Sequence, residues 1–286
     1  MSKIKIAELF YSIQGEGRYM GVPSVFLRTF GCNFTCAGFG LPKGMRSDEN
    51  DKVFEQHKQF PFKSYEELPL VNTGCDSYAS WDPRFKDLSP MLTSDAIVER
   101  TIEILPHKRW VDEHFIFTGG EPLLGWQRAY PDVLEHAKMQ ALKEITFETN
   151  GTQKLHKDFK DYLTQWSQKN DRTRESISFS VSAKLSVSGE KREDAILPDV
   201  VAEYGDVGHV YLKFVVASKE DADEAIEAVK DYRAAGFRGS VYLMPVGGVE
   251  SVYHLNNRTV AELAMKMGYR YSDRLQVPLF KNAWGT

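Results

Sequence analysis

The stretch of sequence that decides the fold runs from residue 24 to residue 36 and reads Ser-Val-Phe-Leu-Arg-Thr-Phe-Gly-Cys-Asn-Phe-Thr-Cys. Residues 24–30 are rich in β-branched and aromatic side chains, a composition that predicts a β-strand. The strand leads through Gly31 into a loop that carries Cys32 and Cys36. Reactive residues on loops that follow strands are typical of α/β barrels, so the same arrangement is expected elsewhere in the chain.

Further strands and helices alternate downstream of this segment. Strands are predicted at 113–118, 143–149, 176–182, 208–217 and 240–244, and helices at 94–105, 130–141, 155–168, 219–235 and 256–267. Ser94 is the expected N-cap of the first helix. Repeated strand–helix units predict a parallel sheet with right-handed crossovers. About six units are too few for a closed eight-unit barrel, so we predict the α/β class with an incomplete, TIM-like βα barrel.

The domain organisation follows from the places where this alternation is interrupted. Residues 37–74 show no clean periodicity and carry scattered charges, Gly and Pro, which predicts an inserted segment. A chain of 286 residues suits one large α/β domain. We therefore predict a single domain over 1–286, with an insertion at about 37–74 and a C-terminal tail at 268–286.

Composition and charge argue against several classes of protein. The formal net charge of −4 and the isoelectric point near 6.0 argue against direct binding of nucleic acid. No apolar run approaches the roughly 20 residues that span a bilayer, and the N-terminus lacks an apolar stretch followed by a cleavage site. We therefore expect a cytoplasmic protein without membrane association. Three cysteines, an odd number, do not indicate a disulfide framework.

The three cysteines allow three interpretations. Free cysteines often pack as small buried hydrophobes, and Cys32, Cys36 and Cys75 could do only that. Zinc is a second option, although structural zinc usually takes four ligands, often from closely spaced pairs. An iron–sulfur cluster is a third option. A four-iron cluster takes four ligands, so three thiolates would leave one iron open for an outside ligand.

Polar and glycine-rich segments follow the other predicted strands. Gly119-Gly120-Glu121-Pro122 offers a backbone that a ligand can approach closely and a carboxylate that can accept hydrogen bonds from an ammonium group. Asn150 and Lys184 also come just after strands. Each of these segments taken alone is more often a turn or a cap. Because the reactive residues of such folds gather at the carboxyl ends of the strands, a common site at that edge is expected.

A strand, a C-x3-C loop, a third cysteine and the segment 118–122, in this order, resemble the radical S-adenosylmethionine (SAM) superfamily. The usual motif of that superfamily is C-x3-C-x2-C with an aromatic residue before the last cysteine. Here 38 residues separate Cys36 from Cys75, and Gly74 replaces the aromatic residue. An insertion explains the spacing, because the cost of loop closure grows slowly with length. The resemblance implies a radical SAM-type barrel, a 4Fe–4S cluster on the three cysteines, and SAM contacts at Gly119, Gly120, Glu121, Asn150, Ser182, Lys184 and Pro245.

Two further features narrow the resemblance to the 7-carboxy-7-deazaguanine synthase family. These features are the segment Ser12-Ile13-Gln14-Gly15-Glu16-Gly17 and the residue Arg28. Segments 148–152 and 275–281 also resemble the corresponding segments of that family. The implied substrate is 6-carboxy-5,6,7,8-tetrahydropterin, whose guanidine-like edge suits a carboxylate and whose acid group suits a guanidinium. The implied contacts are Gln14, Glu16, Arg28, Thr118, Lys281 and Thr286. The family also implies Mg²⁺ held in part by Ser77, where a threonine is typical.

The resemblance implies that a reduced cluster cleaves SAM and that the resulting radical takes a hydrogen from C6 of the pterin. The ring then contracts and loses ammonia. A reductant such as flavodoxin and a homodimer are further implications. Two alternatives stay open. Another radical SAM enzyme, such as a glycyl-radical activase, would not need Gln14, Glu16 and Arg28 to converge, and a non-enzymatic zinc- or cluster-binding protein would need no substrate cleft.

Overall fold

The structure, a computed structural model, describes residues 2–286, and Met1 of the predicted domain lies outside the described residues. The described chain forms one nine-stranded sheet in the order β3-β1-β2-β4-β5-β6-β7-β8-β9. The strands are β1 Lys3–Ile13, β2 Pro23–Thr29, β3 Met91–Thr93, β4 His114–Gly119, β5 Ile145–Thr149, β6 Ile177–Val181, β7 His209–Val216, β8 Val241–Pro245 and β9 Arg270–Tyr271. The sheet is open, because β3 and β9 form its two edges; its curvature into a partial barrel stays a prediction.

The six predicted strands are confirmed as β2 and β4–β8, and each pairs with its neighbour in parallel. Strand β1 was not predicted, and it runs antiparallel to β2 and β3. The fold is therefore mixed rather than wholly parallel. The alternation of charged and apolar residues in Lys3–Ile6, with Ile4 and Ile6 buried, is the signal for β1 that the sequence contains.

Helices connect the parallel strands. They are α1 Glu49–Gln59, α2 Ser94–Ile104, α3 Tyr130–Leu134, α4 Lys157–Trp166, α5 Arg192–Ala195, α6 Pro198–Tyr204, α7 Lys219–Ala234, α8 Glu250–Met267 and α9 Gln276–Phe280. No helix within residues 2–286 combines the length and the apolar composition needed to cross a membrane.

Three helix predictions need correction. The N-cap of α2 is Thr93, whose Oγ1 accepts the Ala96 N–H at 3.2 Å, and Ser94 is instead the first helical residue. The predicted helix 130–141 ends at Leu134. His136 has a non-helical ψ of 141°, and its side chain accepts the Lys138 N–H, so it begins a separate short 3₁₀ turn at 137–139. Helix α8 begins at 250 rather than at 256.

The two faces of the central strands have different roles. Phe117, Phe147 and Phe179 point to the same side of β4, β5 and β6, and their rings stack at centroid distances of 4.8 and 5.3 Å. They form the centre of the main apolar core under the helices. Successive side chains of a strand point to opposite faces, so neighbours such as Thr118 and Glu148 point away from this core. That second face carries the polar site.

The predicted insertion at 37–74 has its own structured part. Helix α1 lies within it, although the sequence showed no clean periodicity there, and only Val53 of this helix is fully buried. Val53 joins a second, smaller apolar cluster that includes Tyr65, Tyr78 and Phe85. Trp284 from the C-terminal tail packs on this cluster. The insertion and the tail are therefore held together.

Candidate active site

A cleft of about 260 Å³ lies at the carboxyl ends of the parallel strands. The structure brings most of the predicted site residues to its wall: Gln14, Glu16, Arg28, Cys32, Cys36, Cys75, Ser77, Thr118, Gly119, Gly120, Asn150, Ser182, Lys184 and Thr286. Three predicted residues do not line it. Glu121 is buried behind the wall, Pro245 lies at the end of β8, and Lys281 is exposed.

The three cysteines meet at one end of this cleft, although 38 residues separate the second from the third. Buried Cys36 forms a small apolar cluster with Phe34 and Ala195, and Cys32 and Cys75 pack against it. Burial raises the pKa of Cys32 to about 12 and that of Cys75 to about 11. The free thiols are therefore protonated at neutral pH, so metal binding here releases protons.

The glycine pair after β4 makes room for the cysteine loop. A Cβ on Gly120 would lie 2.5 Å from the Gly31 carbonyl oxygen and 2.7 Å from Cβ of Cys32, distances that no side chain tolerates. Gly119 has a φ of +151°, and a Cβ there would lie 2.4 Å from the Thr29 carbonyl oxygen. The two glycines therefore have a structural role, because the end of β4 lies close to the end of β2 and to the cysteine loop. This role is additional to the ligand approach that the sequence suggested.

The arrangement fits a cluster better than a single ion. Residues 2–286 contain no group of three or more His, Cys, Asp or Glu side chains that could hold one metal ion. A 4Fe–4S cluster requires a different geometry, because each thiolate binds its own iron and the thiolates therefore surround the whole cluster and not one ion. Three thiols around a common cleft, with apolar neighbours and open space on the fourth side, suit that geometry.

Glu121 organises the loop after β5 from behind the wall. Its carboxylate accepts hydrogen bonds from the Asn150 N–H at 2.7 Å and from Thr149 Oγ1 at 2.8 Å. Burial raises the pKa of Glu121 to about 6, although these hydrogen bonds act in the opposite direction. The Asn150 side chain in turn donates to Asn33 Oδ1 at 2.9 Å and so connects this loop to the cysteine loop.

A buried charge network forms the other half of the cleft. Lys213 on β7 is only 2% exposed, and its Nζ lies 2.6 Å from Glu16 and 3.0 Å from Glu148. Glu16 also pairs with Arg274 at 3.2 Å. Burial alone would raise the pKa of Glu16, but the charges of Lys213 and Arg274 outweigh it and lower that pKa to about 2. Gln14 belongs to the network, since its Nε2 donates to Glu148 at 3.0 Å.

Arg28 is held by partners on two sides. Its Nε donates to Glu8 at 2.7 Å, and its Nη1 donates to Ser77 Oγ at 3.1 Å. The Ser77 hydroxyl donates in turn to Asp76 Oδ1 at 3.3 Å. The guanidinium thus forms a salt bridge with Glu8 and also lines the cleft.

Five charged residues of the cleft were not among the predicted site residues: Glu8, Asp76, Glu148, Lys213 and Arg274. A signal existed for Lys213, which interrupts the apolar strand Val-Tyr-Leu-Lys-Phe-Val-Val. A charge at such a position is almost never fully buried unless it has a partner. For Arg274 and Asp76, which lie next to each other only after folding, no local pattern was available.

The C-terminal tail closes one side of the cleft. Trp284 donates its indole N–H to the Leu68 carbonyl oxygen at 3.1 Å, and its ring packs edge-on against Tyr65 and Tyr78. These contacts position the end of the chain, and Thr286 lines the cleft. Lys281 lies in a left-handed turn with a φ of +57°.

The chain is similar to known proteins in sequence and in structure. A 7-carboxy-7-deazaguanine synthase of Halobacterium salinarum is 32% identical, over 98% of this chain and 91% of its own length. The enzyme of that name from Pyrobaculum aerophilum is 27% identical, over 99% of this chain and 97% of its own. The crystal structure of QueE from Escherichia coli superposes with a TM-score of 0.53 at 18% identity, covering 96% of this chain and 94% of that one. No family model matches the chain.

The open α/β sheet and the cysteine-lined cleft at its carboxyl edge define an enzyme of the radical SAM type. Within that class the chain belongs to the 7-carboxy-7-deazaguanine synthase family, because a relative at 32% identity spans almost its whole length. The predicted family is therefore confirmed, and neither a glycyl-radical activase nor a non-enzymatic binding protein is favoured.

Proposed function

We propose that this protein converts 6-carboxy-5,6,7,8-tetrahydropterin into 7-carboxy-7-deazaguanine and ammonia. The single observation that carries the proposal is the relationship to synthases of that name over nearly the full chain. The cleft supports it, because cysteines from distant segments and five of the six predicted substrate residues line it, all except Lys281.

Cys32, Cys36 and Cys75 would hold a 4Fe–4S cluster. The chemistry that such a cluster supplies in this class is the one-electron cleavage of SAM. The residues of the chain bind and orient SAM, and the apolar surroundings of the cysteines exclude water. The backbone at Gly119 and Gly120 can accept hydrogen bonds from the SAM ammonium group. Asn150, Ser182 and Lys184 offer polar groups to the rest of SAM.

Glu121 and Pro245 receive a narrower role than the family resemblance implied. The Glu121 carboxylate is fully buried and committed to the loop after β5, so we assign it to positioning Asn150. Pro245 ends β8, beside cleft residues Met244 and Val246, and shapes that part of the wall. Neither residue reaches the cleft in this conformation.

The charge network would bind the pterin. Glu16 stays ionised at neutral pH because of Lys213 and Arg274, so it can accept hydrogen bonds from the guanidine-like edge. Gln14 and Thr118 add polar groups that can donate and accept. Arg28 would pair with the substrate carboxylate, since Glu8 and Ser77 already fix its plane.

The tail and a divalent cation complete the proposed site. The Thr286 end lies at the cleft, whereas Lys281 would need the turn at 281–282 to rearrange before it could contribute. Ser77 Oγ and the adjacent Asp76 carboxylate are hard oxygen ligands that suit Mg²⁺ together with several waters. By family resemblance we also propose a cytoplasmic homodimer that takes electrons from a donor such as flavodoxin.

The test is an anaerobic assay with SAM, dithionite, Mg²⁺ and the carboxy-tetrahydropterin, followed by mass spectrometry. The product should be lighter than the substrate by one ammonia. Glu16→Ala should lose at least about 100-fold in turnover while it retains about four irons per chain. Glu175→Ala, which removes an exposed carboxylate, is the matched control and should keep wild-type turnover. Full turnover by Glu16→Ala would disprove the substrate assignment.

A further inference from the structure

A carboxylate from the turn after β6 holds the loop of the first two cysteines. Glu190 lies in the turn that follows β6, more than 150 residues away in sequence from this loop. One oxygen, Oε1, accepts hydrogen bonds from the Cys36 N–H at 2.7 Å and the Thr35 N–H at 2.9 Å. It also accepts the Thr35 hydroxyl at 3.2 Å. Three donors from two adjacent residues thus converge on a single oxygen.

The backbone of the loop explains why such a clamp is needed. Cys36 has a φ of +48°, a left-handed conformation that residues other than glycine rarely adopt. A non-glycine residue is sterically strained there and keeps this conformation only where its surroundings enforce it. The hydrogen bonds to Glu190 fix the two peptide N–H groups in this conformation. They hold Cys36 where its thiol reaches the cleft.

Close packing beside Glu190 leaves the loop little room to shift. The Gly38 N–H donates to the Ser188 carbonyl oxygen at 2.9 Å. A Cβ on Gly38 would lie 2.7 Å from the backbone nitrogen of Gly189, so the two segments touch through their backbones. The turn at 188–190 is therefore a docking surface for the cysteine loop.

The hydrogen bonds to Glu190 also have an electrostatic consequence. All three donors are neutral, and the Arg46 guanidinium donates to Thr35 Oγ1 at 3.1 Å without forming a salt bridge to Glu190, so the carboxylate keeps its negative charge. A negative charge beside an iron–sulfur cluster disfavours the added electron. Hydrogen bonds to the cluster sulfurs have the opposite effect on the reduction potential, and the N–H groups of Thr35 and Cys36 are already committed to Glu190.

We propose that Glu190 is a positioning residue of the cluster site: Glu190 holds the cysteine loop in place, and its negative charge keeps the reduction potential of the cluster low. This inference rests on the proposed function, since it presupposes a cluster on the three cysteines. A low reduction potential serves that function, because the reduced cluster must be a strong reductant to cleave SAM.

The charge is tested with Glu190→Gln, which retains an oxygen acceptor. Glu193→Gln is the matched control, because Glu193 is an exposed carboxylate three residues further along the chain. Both proteins are reconstituted anaerobically, and the midpoint potential is measured by a redox titration followed by electron paramagnetic resonance. Glu190→Gln should favour the reduced cluster about tenfold, an upward shift of about 59 mV for one electron. An unchanged potential in a variant with full iron content overturns the proposal.

The loop-holding role is tested with Glu190→Ala against Glu193→Ala. The rate at which a chelator removes iron should rise at least fivefold in Glu190→Ala only. If Glu190 variants take up no cluster while their circular dichroism and Tm match those of wild type, the holding role is supported. Equal rates for the two alanine variants overturn it. If the wild-type protein itself holds no cluster, the proposed function has failed instead, so the two failures are distinguishable.

Discussion

Lys213 is the buried cation on which the substrate half of the cleft depends. Its Nζ lies within 3.0 Å of carboxylates from two other elements, and its side chain is 3% exposed. Lys213→Met keeps a similar volume but leaves Glu16 and Glu148 without their shared ammonium. Removing one partner of a buried ion pair typically costs 3–5 kcal/mol, because the remaining charge stays buried.

The magnitude expected here lies at the lower end of that range. Glu16 retains Arg274 at 3.2 Å and the Gln276 amide at 2.9 Å, whereas Glu148 retains only the Gln14 amide as a direct partner among the contacts of the described residues. We therefore expect Lys213→Met to lower the free energy of unfolding by about 3 kcal/mol. In the double variant Lys213→Met/Glu148→Gln, about 1–2 kcal/mol of this loss should be recovered, because the orphaned charge is gone.

Urea unfolding of the metal-free protein, followed by circular dichroism, measures these differences without any need for a cluster. The matched control is Lys157→Met. Lys157 forms an exposed ion pair with Asp161 at 2.7 Å on the surface of α4, and its loss should cost less than about 1 kcal/mol. If Lys213→Met is no less stable than Lys157→Met, the cleft does not depend on its buried ammonium, and the reasoning is refuted.

Three further predictions concern the cluster, the tail and the pH dependence of stability. Cys75→Ala should lose most of the roughly four irons that a reconstituted chain holds, measured by iron analysis, and an unchanged content would exclude Cys75 as a ligand. Trp284→Ala should raise the KM for the pterin about tenfold at unchanged iron content, because the tail loses its anchor on the insertion; an unchanged KM would show that the tail has no part in binding. Burial lowers the pKa of His114 to about 3, so the folded state disfavours its protonation and wild-type stability should fall as the pH drops below about 6.5, by up to about 1.4 kcal/mol per pH unit. His114→Gln should lack this part of the acid dependence in urea unfolding at a series of pH values; an identical pH profile would contradict the assignment.

Some elements of the fold could be predicted from local sequence because their signal is local. The six parallel strands of the site follow β-branched and aromatic runs, and the helix at 219–234 follows an apolar periodicity with a capping box at Ser218. Other elements gave weaker signals. Helix α1 has only Val53 fully buried, so its apolar pattern is too sparse to recognise. In strand β1, charged and apolar residues alternate clearly only at the start of the strand.

The candidate site divides in the same way. Cys32, Gly119, Asn150 and Lys184 could be predicted to lie near one another because each follows a predicted parallel strand. The carboxyl ends of parallel strands lie at the same edge of the sheet. That Cys75 joins Cys32 and Cys36 was predicted by resemblance, and their shared cleft shows the insertion folded so as to return the chain to this edge.

The sequence by itself determined the class of fold, the edge at which the chemistry lies and the family, since each depends on motifs and periodicities that can be recognised within single segments. Only the tertiary structure decided how the charges are paired. Glu16 meets Lys213 across 197 positions, and Glu190 meets Cys36 across 154. The physical reason is that periodicity reports which face of an element is buried, whereas the partner of a buried charge depends on which elements become neighbours. That choice is made by the packing of the whole sheet and leaves no pattern within any single segment.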